Sequence, residues 1–272
     1  MTQVFFLVAL LGILLQTPVG SSAVRPDIAE LRTRAEAGDP RAQTQLGLVY
    51  ASGDGIEADE SEAVKWFRKA AEKGDPAGEY SLGEMYLTGR GVATDLSEAA
   101  KWMRRAAEGG DSRGQFNLAV MYSQGQGVAK DESEAAKWMR KAADQGSAAG
   151  QFGLGSMYAH GKGVSQSSTD AAAWYRKAAD QGDPAAMNNL AFLLATSADP
   201  KIRNPKAAIS LAQKAADAEP GNSACLDTLA TAYFEAGQPN NAAEAERKAL
   251  ALKPESASYK EAVAKYEAAG RH

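Results

Sequence analysis

The clearest copy of a recurring segment in this chain is Glu134-Ala135-Ala136-Lys137-Trp138-Met139-Arg140-Lys141-Ala142-Ala143. Its tryptophan has equivalents at intervals of 36 residues, and these are Trp66, Trp102, Trp138 and Trp174. One glycine per unit keeps the same interval, at Gly38, Gly74, Gly110, Gly146 and Gly182. So do one leucine and one tyrosine, at Leu46, Leu82, Leu118, Leu154 and Leu190 and at Tyr50, Tyr86, Tyr122 and Tyr158. A fixed period of about 20 to 50 residues indicates a repeat architecture.

Each unit is predicted to contain two helices. The first starts where an aspartate N-cap precedes a proline, at Asp39-Pro40, Asp75-Pro76 and Asp183-Pro184. The second starts at a predicted reciprocal capping box, formed by Asp59 and Glu62, Asp95 and Glu98, Asp131 and Glu134, and Ser167 and Asp170. The recurring glycine closes it as a left-handed C-cap. Because one antiparallel pair cannot bury its apolar face alone, we expect an all-α, right-handed α-solenoid of stacked antiparallel helix pairs.

The period divides the chain into units. Five are assigned, to residues 38–73, 74–109, 110–145, 146–181 and 182–219, and the last is a hybrid with a modified loop at residues 197–203. Residues 220–255 follow tetratricopeptide spacings, at Leu229, Ala230, Tyr233, Gly237, Ala242, Ala249 and Pro254. Glu246 occupies a place in that repeat that is usually aromatic. Residues 24–37 and 256–272 are predicted to form capping helices that cover the ends of the core.

The segment at residues 134–143, after Gly125-Gln126-Gly127-Val128, resembles the Sel-one-like (Sel1-like) repeat. This family is a branch of the tetratricopeptide repeat (TPR) superfamily, and with the last repeat the resemblance covers about residues 38–255. It implies adaptor roles in complex assembly, envelope signalling or host contact. Some cysteine-rich members are linked to β-lactam binding or hydrolysis, but they carry a disulfide in most repeats. This chain has one cysteine, Cys225.

Composition excludes several classes of function. The formal net charge of −4 creates no strong field toward nucleic acid or an anionic membrane. Cys225 cannot form an internal disulfide and is interpreted as a small buried residue, while His160 and His272 are too few for a metal cluster. The sequence therefore predicts no catalytic residue, no metal and no cofactor. The alternative, an enzyme that acts on cell-wall or β-lactam substrates, rests on the family resemblance alone.

The first residues predict export. Residues 1–22 carry no charged side chain, and Val4 to Leu15 are apolar apart from Gly12. Such a run suits a signal peptide at residues 1–23, and Ser21-Ser22-Ala23 places cleavage after Ala23. The mature chain would then be periplasmic or secreted, without stable membrane insertion. Because no Lys or Arg precedes the apolar run, an uncleaved N-terminal membrane anchor is the alternative.

Three recurring motifs have a functional and a structural interpretation. The Gly-x-Gly pairs, which begin at Gly53, Gly89, Gly125 and Gly161, follow no predicted strand and are interpreted as left-handed turns rather than phosphate loops. The strict recurrence of the tryptophans favours core packing over a ligand cage. A basic row could contact nucleic acid, and it is Arg68-Lys69, Arg104-Arg105, Arg140-Lys141 and Arg176-Lys177. Acids at helical spacing predict that this face is neutralised instead, by Glu72, Glu108, Asp144 and Asp180.

Differences between the units locate a candidate groove. Counted from the unit's glycine, positions 5, 9, 12 and 13 of the first helix are nearly constant, whereas positions 4, 7, 8, 11, 14 and 15 vary along the opposite arc. By analogy with TPR proteins, this variable arc should line a concave surface. The candidate partner-binding residues are Arg41, Gln45, Leu48, Tyr80, Glu84, Arg113, Phe116, Asn117, Val120, Phe152, Ser156, His160, Asn189 and Phe192.

Three aromatic side chains occupy position 7 of successive units, Tyr80, Phe116 and Phe152. Exposed aromatics with polar neighbours suit contact with a protein or peptide. The alternative is that these rings pack between neighbouring first helices. The sequence thus predicts an exported adaptor that binds protein and not nucleic acid. One special case is a regulator that inhibits the periplasmic domain of a membrane sensor.

Overall fold

The computed structural model describes residues 27–271, and these form fourteen helices and no strand. The predicted signal peptide, its cleavage after Ala23, residues 24–26 and His272 lie outside the described part of the chain. The first helices of the five units are α2 (Pro40–Ser52), α4 (Pro76–Thr88), α6 (Ser112–Gln124), α8 (Ala148–His160) and α10 (Pro184–Thr196). The second helices are α3 (Glu60–Glu72), α5 (Leu96–Glu108), α7 (Glu132–Asp144), α9 (Ser168–Asp180) and α11 (Pro205–Ala218).

Four further helices complete the stack. They are α1 (Ile28–Glu36) before the first unit and α12 (Ser223–Glu235), α13 (Pro239–Leu252) and α14 (Ala257–Ala269) after the fifth. Each helix packs against the next one along the chain, which confirms the predicted all-α solenoid of antiparallel pairs. First helices also contact each other across units, at α2 with α4, α6 with α8 and α10 with α12, more extensively than second helices do. The first helices therefore lie on the inner, concave side of the stack. Within residues 27–271 no helix has the length and apolar character needed to cross a membrane.

The helix starts confirm the predicted N-caps but not the reciprocal boxes. Asp95 accepts the backbone N–H of Glu98, as an N-cap should, at 3.0 Å. The backbone N–H of Asp95 does not pair with the Glu98 carboxylate, because it donates to the carbonyl oxygen of Tyr86 at 3.0 Å. The Glu98 carboxylate accepts from Lys101 instead. The other units repeat this arrangement, in which the connecting loop folds back onto the first helix and satisfies the N-cap amide.

The Gly-x-Gly pairs turn the chain and bring units together, as the structural interpretation predicted. The first glycine, for example Gly125 with φ 73°, ends the first helix in the left-handed region. The second glycine, Gly127, has φ 67° and lies against the start of the preceding unit's second helix. A Cβ at Gly127 would overlap the carbonyl oxygen of Leu96, and the equivalent atoms at Gly91 and Gly163 would meet the same obstacle. Only glycine permits this approach between units.

The tryptophan row belongs to the core. Trp66, Trp138 and Trp174 are between 8% and 9% exposed, and Trp102 is half-buried. The ring face is covered by a cation from the same helix, as in Trp138, whose centroid lies 3.9 Å from Lys141 Nζ. Equivalent contacts join Lys69 to Trp66, Arg105 to Trp102 and Lys177 to Trp174. The core interpretation is thus confirmed, and the rings do not form an open ligand cage.

Within residues 27–271 the first arginine of each basic pair forms no ion pair with the acids that the sequence predicted to neutralise it. The Arg68 guanidinium donates to the Tyr86 hydroxyl of the next unit at 2.6 Å. We call this contact the arginine–tyrosine clamp, and its four copies are Arg32–Tyr50, Arg68–Tyr86, Arg104–Tyr122 and Arg140–Tyr158. No ion pair to Glu72, Glu108, Asp144 or Asp180 forms in the described part of the chain, so that prediction was wrong. Stacking brings the tyrosine of one unit within reach of the arginine before it.

Candidate functional site

The variable arc of the first helices is a mixture of exposed and half-buried side chains along the concave side. Exposed members are Arg41, Gln45, Leu48, Glu84, Arg113, His160 and Phe192. Half-buried members are Tyr80, Phe116, Asn117, Val120, Phe152 and Asn189. Ser156 is the exception, because it is 4% exposed and its hydroxyl hydrogen-bonds to Tyr175. Ser156 therefore belongs to the packing between α8 and α9 and offers a partner almost no surface.

Large apolar side chains stand open at both ends of this arc. Leu48 in the first unit is 45% exposed and Phe192 in the fifth is 49% exposed. Neither has a structural reason to be apolar, because side chains so exposed gain little from folding. Exposed apolar residues that belong to a continuous concave face are typical of partner binding.

The three aromatic rings of position 7 are only partly exposed, so each can both pack against the frame and contact a partner. Tyr80 and Phe116 pack their inner edges against the core of the second to fourth units. Phe152 packs against Tyr175, with ring centroids 5.8 Å apart and planes inclined by 39°. Among residues 27–271 these three rings do not stack on one another. Each of the three rings is half-buried. One part of the ring packs against the helices, and the other part remains accessible.

A fixed cation lies in the middle of the groove. Arg113 donates to both carboxylate oxygens of Asp111, at 3.1 and 2.6 Å, and its guanidinium carbon lies 4.3 Å from the Tyr80 ring centroid. Burial raises the pKa of Tyr80 to about 12, and the charge of Glu84 adds to this shift. Partial desolvation by its neighbours in the groove also raises the pKa of the Glu84 carboxyl, although this side chain is exposed on one side. The side chain of Arg113 is therefore held in place before any partner arrives, which lowers the entropy cost of binding.

A cleft of about 200 Å³ opens between the third and fourth units. Its floor is apolar and includes Val120, Met139 and Met157, while Lys130 and Glu132 stand at its rim. Gly153 lies in the floor at a position where the other units carry Gln45, Ser81, Asn117 and Asn189. A Cβ at Gly153 would lie 2.6 Å from the Met139 sulfur, so the glycine keeps this floor open. Sequence reasoning missed Gly153 and Met139, although a glycine at a variable position was a usable signal.

His160 is exposed, and its Nδ1 lies 2.8 Å from the Ser156 carbonyl oxygen of its own helix. Within residues 27–271 no group of three or more His, Cys, Asp or Glu side chains could hold a metal ion. Cys225 is 1% exposed, as its interpretation as a small buried residue required, and burial raises the pKa of its thiol to about 11.

A buried acid lies outside the groove, in the last helices. Glu246 of α13 is fully buried beside Asp227 of α12. Burial, and then the charge of Asp227, raise the pKa of Glu246 to about 8. Burial likewise raises the pKa values of Asp227 and of Tyr259 and Tyr266, two side chains that α14 places beside the pair. Glu246, which replaces the usual aromatic residue of this repeat, therefore destabilises the C-terminal core when its carboxyl is ionised.

Comparison with known proteins gives a family match. The Sel1 repeat family model matches five consecutive segments, at residues 40–75, 76–111, 112–147, 148–183 and 184–219. The comparison with curated proteins gives no match.

Several solved structures are similar to this chain. A Sel1 repeat protein from Oxalobacter formigenes is 34% identical over 69% of this chain and 75% of that chain, with a TM-score of 0.61. A protective antigen of uropathogenic Escherichia coli strains, which displays an SLR fold, is 33% identical over 82% of this chain, with a TM-score of 0.56. This chain spans only 56% of that antigen's length. YrrB, a TPR protein with an unusual peptide-binding site, is 18% identical over 72% of this chain and 96% of its own, with a TM-score of 0.54, and shows the fold alone.

Proposed function

Because this chain belongs to the Sel1 repeat family, we propose that it is an adaptor that holds a protein or peptide partner in the concave groove of its first helices. Sel1 and TPR-like repeats generally mediate protein–protein interaction and are generally non-enzymatic scaffolds. The observation that carries the proposal for this groove is its variable arc, which combines exposed Leu48 and Phe192 with the fixed cation of Arg113. Arginine and aromatic side chains are the commonest hot spots of protein interfaces.

The mechanism is recognition on a rigid frame. The arginine–tyrosine clamps and the close glycine contacts fix the units relative to each other, so the groove exists before the partner binds. The cleft at Gly153 can receive one apolar side chain, because its methionine-lined floor adapts to different shapes. Arg113, held by Asp111 and Tyr80, can pair with a carboxylate or with a carbonyl oxygen nearby. Such an interface binds without any bond chemistry.

We propose further that the adaptor is exported and works in the periplasm or outside the cell, in envelope assembly, signalling or host contact. The uncharged residues 1–22 and the small residues before Val24 support this proposal, and the similar protective antigen is consistent with it. N-terminal sequencing of the protein purified from its native host should find Val24 as the first residue. An intact Met1 in a soluble cytosolic fraction would contradict export, and an intact Met1 in the membrane fraction would favour the anchor.

The groove is tested by photo-crosslinking in the native host. A photoreactive amino acid is introduced at Phe192 in the groove and, as a control, at exposed Glu108 on the second helix α5. Adducts from Phe192 that are absent from Glu108 are expected, and mass spectrometry then identifies the partner. Adducts from Glu108 alone would place the interface on the outer helices and contradict the proposal. Turnover of a chromogenic β-lactam by the purified protein would favour the enzymatic alternative.

A further inference from the structure

The series of arginine–tyrosine clamps stops at the interface between the fourth and fifth units. Arg176 of α9 is the next arginine in register after Arg32, Arg68, Arg104 and Arg140. The residue that should receive it is Leu194, which is 5% exposed and has no hydroxyl. Arg176 is exposed and has no hydrogen-bond or ion-pair partner among residues 27–271. The fifth unit thus leaves the arginine of the fourth unit unpaired within the described residues, whereas the tyrosine of each of the first four units accepts from the arginine before it.

The loop after α10 departs from the others at the same place. The first four units end their first helix at a left-handed glycine, whereas α10 ends at Ser197 with φ −57° and ψ 135°. The amide of Asn204 still donates to the carbonyl of Leu194 at 2.7 Å, which corresponds to the link from Asp59 to Tyr50. This link now spans ten residues, one more than the link in the first unit. The connection after α10 is therefore one residue longer than the connection in a regular unit.

A cleft of about 660 Å³ lies beside these two departures, between α9, the loop and the start of α11. Its accessible apolar residues include Ala172, Ala173 and Ala207, while Leu194 and Ile202 also line it but are buried. Its charged side chains are Arg176, Lys201 and Arg203, and none of its lining residues is acidic. Arg203 pairs with Glu235 at 2.5 Å, whereas the ammonium of Lys201, like the Arg176 guanidinium, has no ion-pair partner in the described chain. Two uncompensated cations beside an apolar wall favour an anion that carries an apolar neighbour.

We propose that this cleft is a second binding site, which takes an acidic protein segment: a carboxylate pairs with Arg176 and Lys201 while an adjacent apolar side chain rests on the accessible Ala172 and Ala207 of the lining. The apolar wall distinguishes such a segment from a bare phosphate, which would leave that wall uncovered. The site is separate from the concave groove. Leu194 and Phe192 are two residues apart on α10 and so point about 200° away from each other. A partner could therefore contact the groove and the loop edge of the fifth unit at different points.

The test uses a dye-labelled peptide of sequence Glu-Leu-Glu-Leu-Glu, with Gln-Leu-Gln-Leu-Gln as its uncharged match. Binding to the full chain is measured by fluorescence anisotropy. We expect the glutamate peptide to bind at least about tenfold more tightly than the glutamine peptide, as a charge-assisted bidentate pair requires. Arg176→Gln should weaken it at least about fivefold. Lys214→Gln, which removes the same charge from an exposed site outside the cleft, should leave it unchanged.

A repair variant sharpens the test. Leu194→Tyr restores the hydroxyl that the first four units have, so Arg176 should turn to it and peptide binding should be lost. Equal binding of the two peptides, or full binding by both Arg176→Gln and Leu194→Tyr, would overturn the proposal. So would the absence of wild-type binding up to about 1 mM peptide, the weak end of specific affinity. Competition by inorganic phosphate as strong as by unlabelled peptide would assign the cleft to small anions and overturn it as well.

Discussion

The first four units and the region from α10 onward are built from the same helix pairs, but they are joined differently. Between regular units a clamp such as Arg68–Tyr86 and a glycine contact such as Gly91 against Glu60 recur at every step. From α10 onward Leu194 replaces the clamping tyrosine and the loop has no glycine. The core there is rich in alanine and includes the buried Glu246.

The comparison distinguishes residues that hold the units together from residues that could give one unit a property of its own. Where the first four units agree, the shared residue holds the stack, as Trp138 and Arg104 do. Where one unit departs, a group becomes available or a weakness appears, as at Gly153, Arg176 and Glu246. In a repeat protein each interface contributes separately to stability, so one departure can be tolerated without loss of the fold.

The largest expected effect is the loss of a regular core ring. Trp138→Ala should lower the free energy of unfolding by about 3 to 5 kcal/mol, because a buried aromatic is replaced by a cavity. Urea denaturation followed by circular dichroism measures this change. Trp138→Phe, which keeps a ring, is the control and should cost clearly less. A loss below about 1 kcal/mol for the alanine variant would mean that the row is not core.

The second effect concerns the C-terminal core and depends on pH. Burial raises the pKa of Glu246 from 4.5 to about 8, so the unfolded chain loses this proton at lower pH than the folded one. Stability is therefore greatest below the unfolded pKa and is lost as pH rises toward 8. The groups that face Glu246 are Asp227, Tyr259 and Tyr266, and burial raises the pKa of each of them.

Thermal melting of wild type and Glu246→Gln between pH 5 and pH 8 measures this dependence. The wild-type melting temperature should fall across the range, and the glutamine variant, which cannot ionise, should change much less. Glu246→Phe, with the aromatic side chain usual at this place, should be more stable than wild type at pH 8. Parallel curves for wild type and Glu246→Gln would show that Glu246 is not the group responsible.

The third prediction compares two arginines of one row. Arg104→Gln breaks a clamp to Tyr122 and should cost about 1 kcal/mol, the net value of a partly exposed charged hydrogen bond. Arg176→Gln removes the same charge at the equivalent place without a clamp and should change stability by less than about 0.5 kcal/mol. Chemical denaturation of the two variants side by side provides the comparison. Equal losses would mean that the clamp adds nothing to stability.

The smallest effect on folding is expected at the open ends of the groove. Leu48→Ala and Phe192→Ala should each change the free energy of unfolding by less than about 0.5 kcal/mol, because both side chains are about half exposed. Together the two substitutions should lower the affinity for the partner identified by crosslinking at least about tenfold, as loss of an interface hot spot does. Phe152→Ala is the contrasting variant, since its contact with Tyr175 makes it costly to both folding and binding. Unchanged affinity in the double variant would move the interface away from the groove ends.

The candidate site could be predicted only in outline from the sequence. The variable arc predicted accessible positions on the first helices, and most of its members, such as Leu48 and Phe192, are at least partly exposed. Ser156 varies between units but is buried, because variation reports that packing differs between units and not that a side chain is exposed. The open floor at Gly153 was missed, since it depends on the Met139 side chain from another helix.

The sequence by itself determined the all-α repeat, the helix ends and the turn glycines. Those features depend on residues a few positions apart, such as Asp95 and the Glu98 amide, so a linear pattern contains them completely. Only the tertiary structure decided what the basic row does and where the clefts lie. The clamp joins Arg68 to Tyr86 across a unit boundary, and the angle at which units stack places the two side chains together. A sequence period predicts that the units have similar structures. The distances between side chains of neighbouring units depend on how the units pack in the assembled stack, so the period alone does not give them.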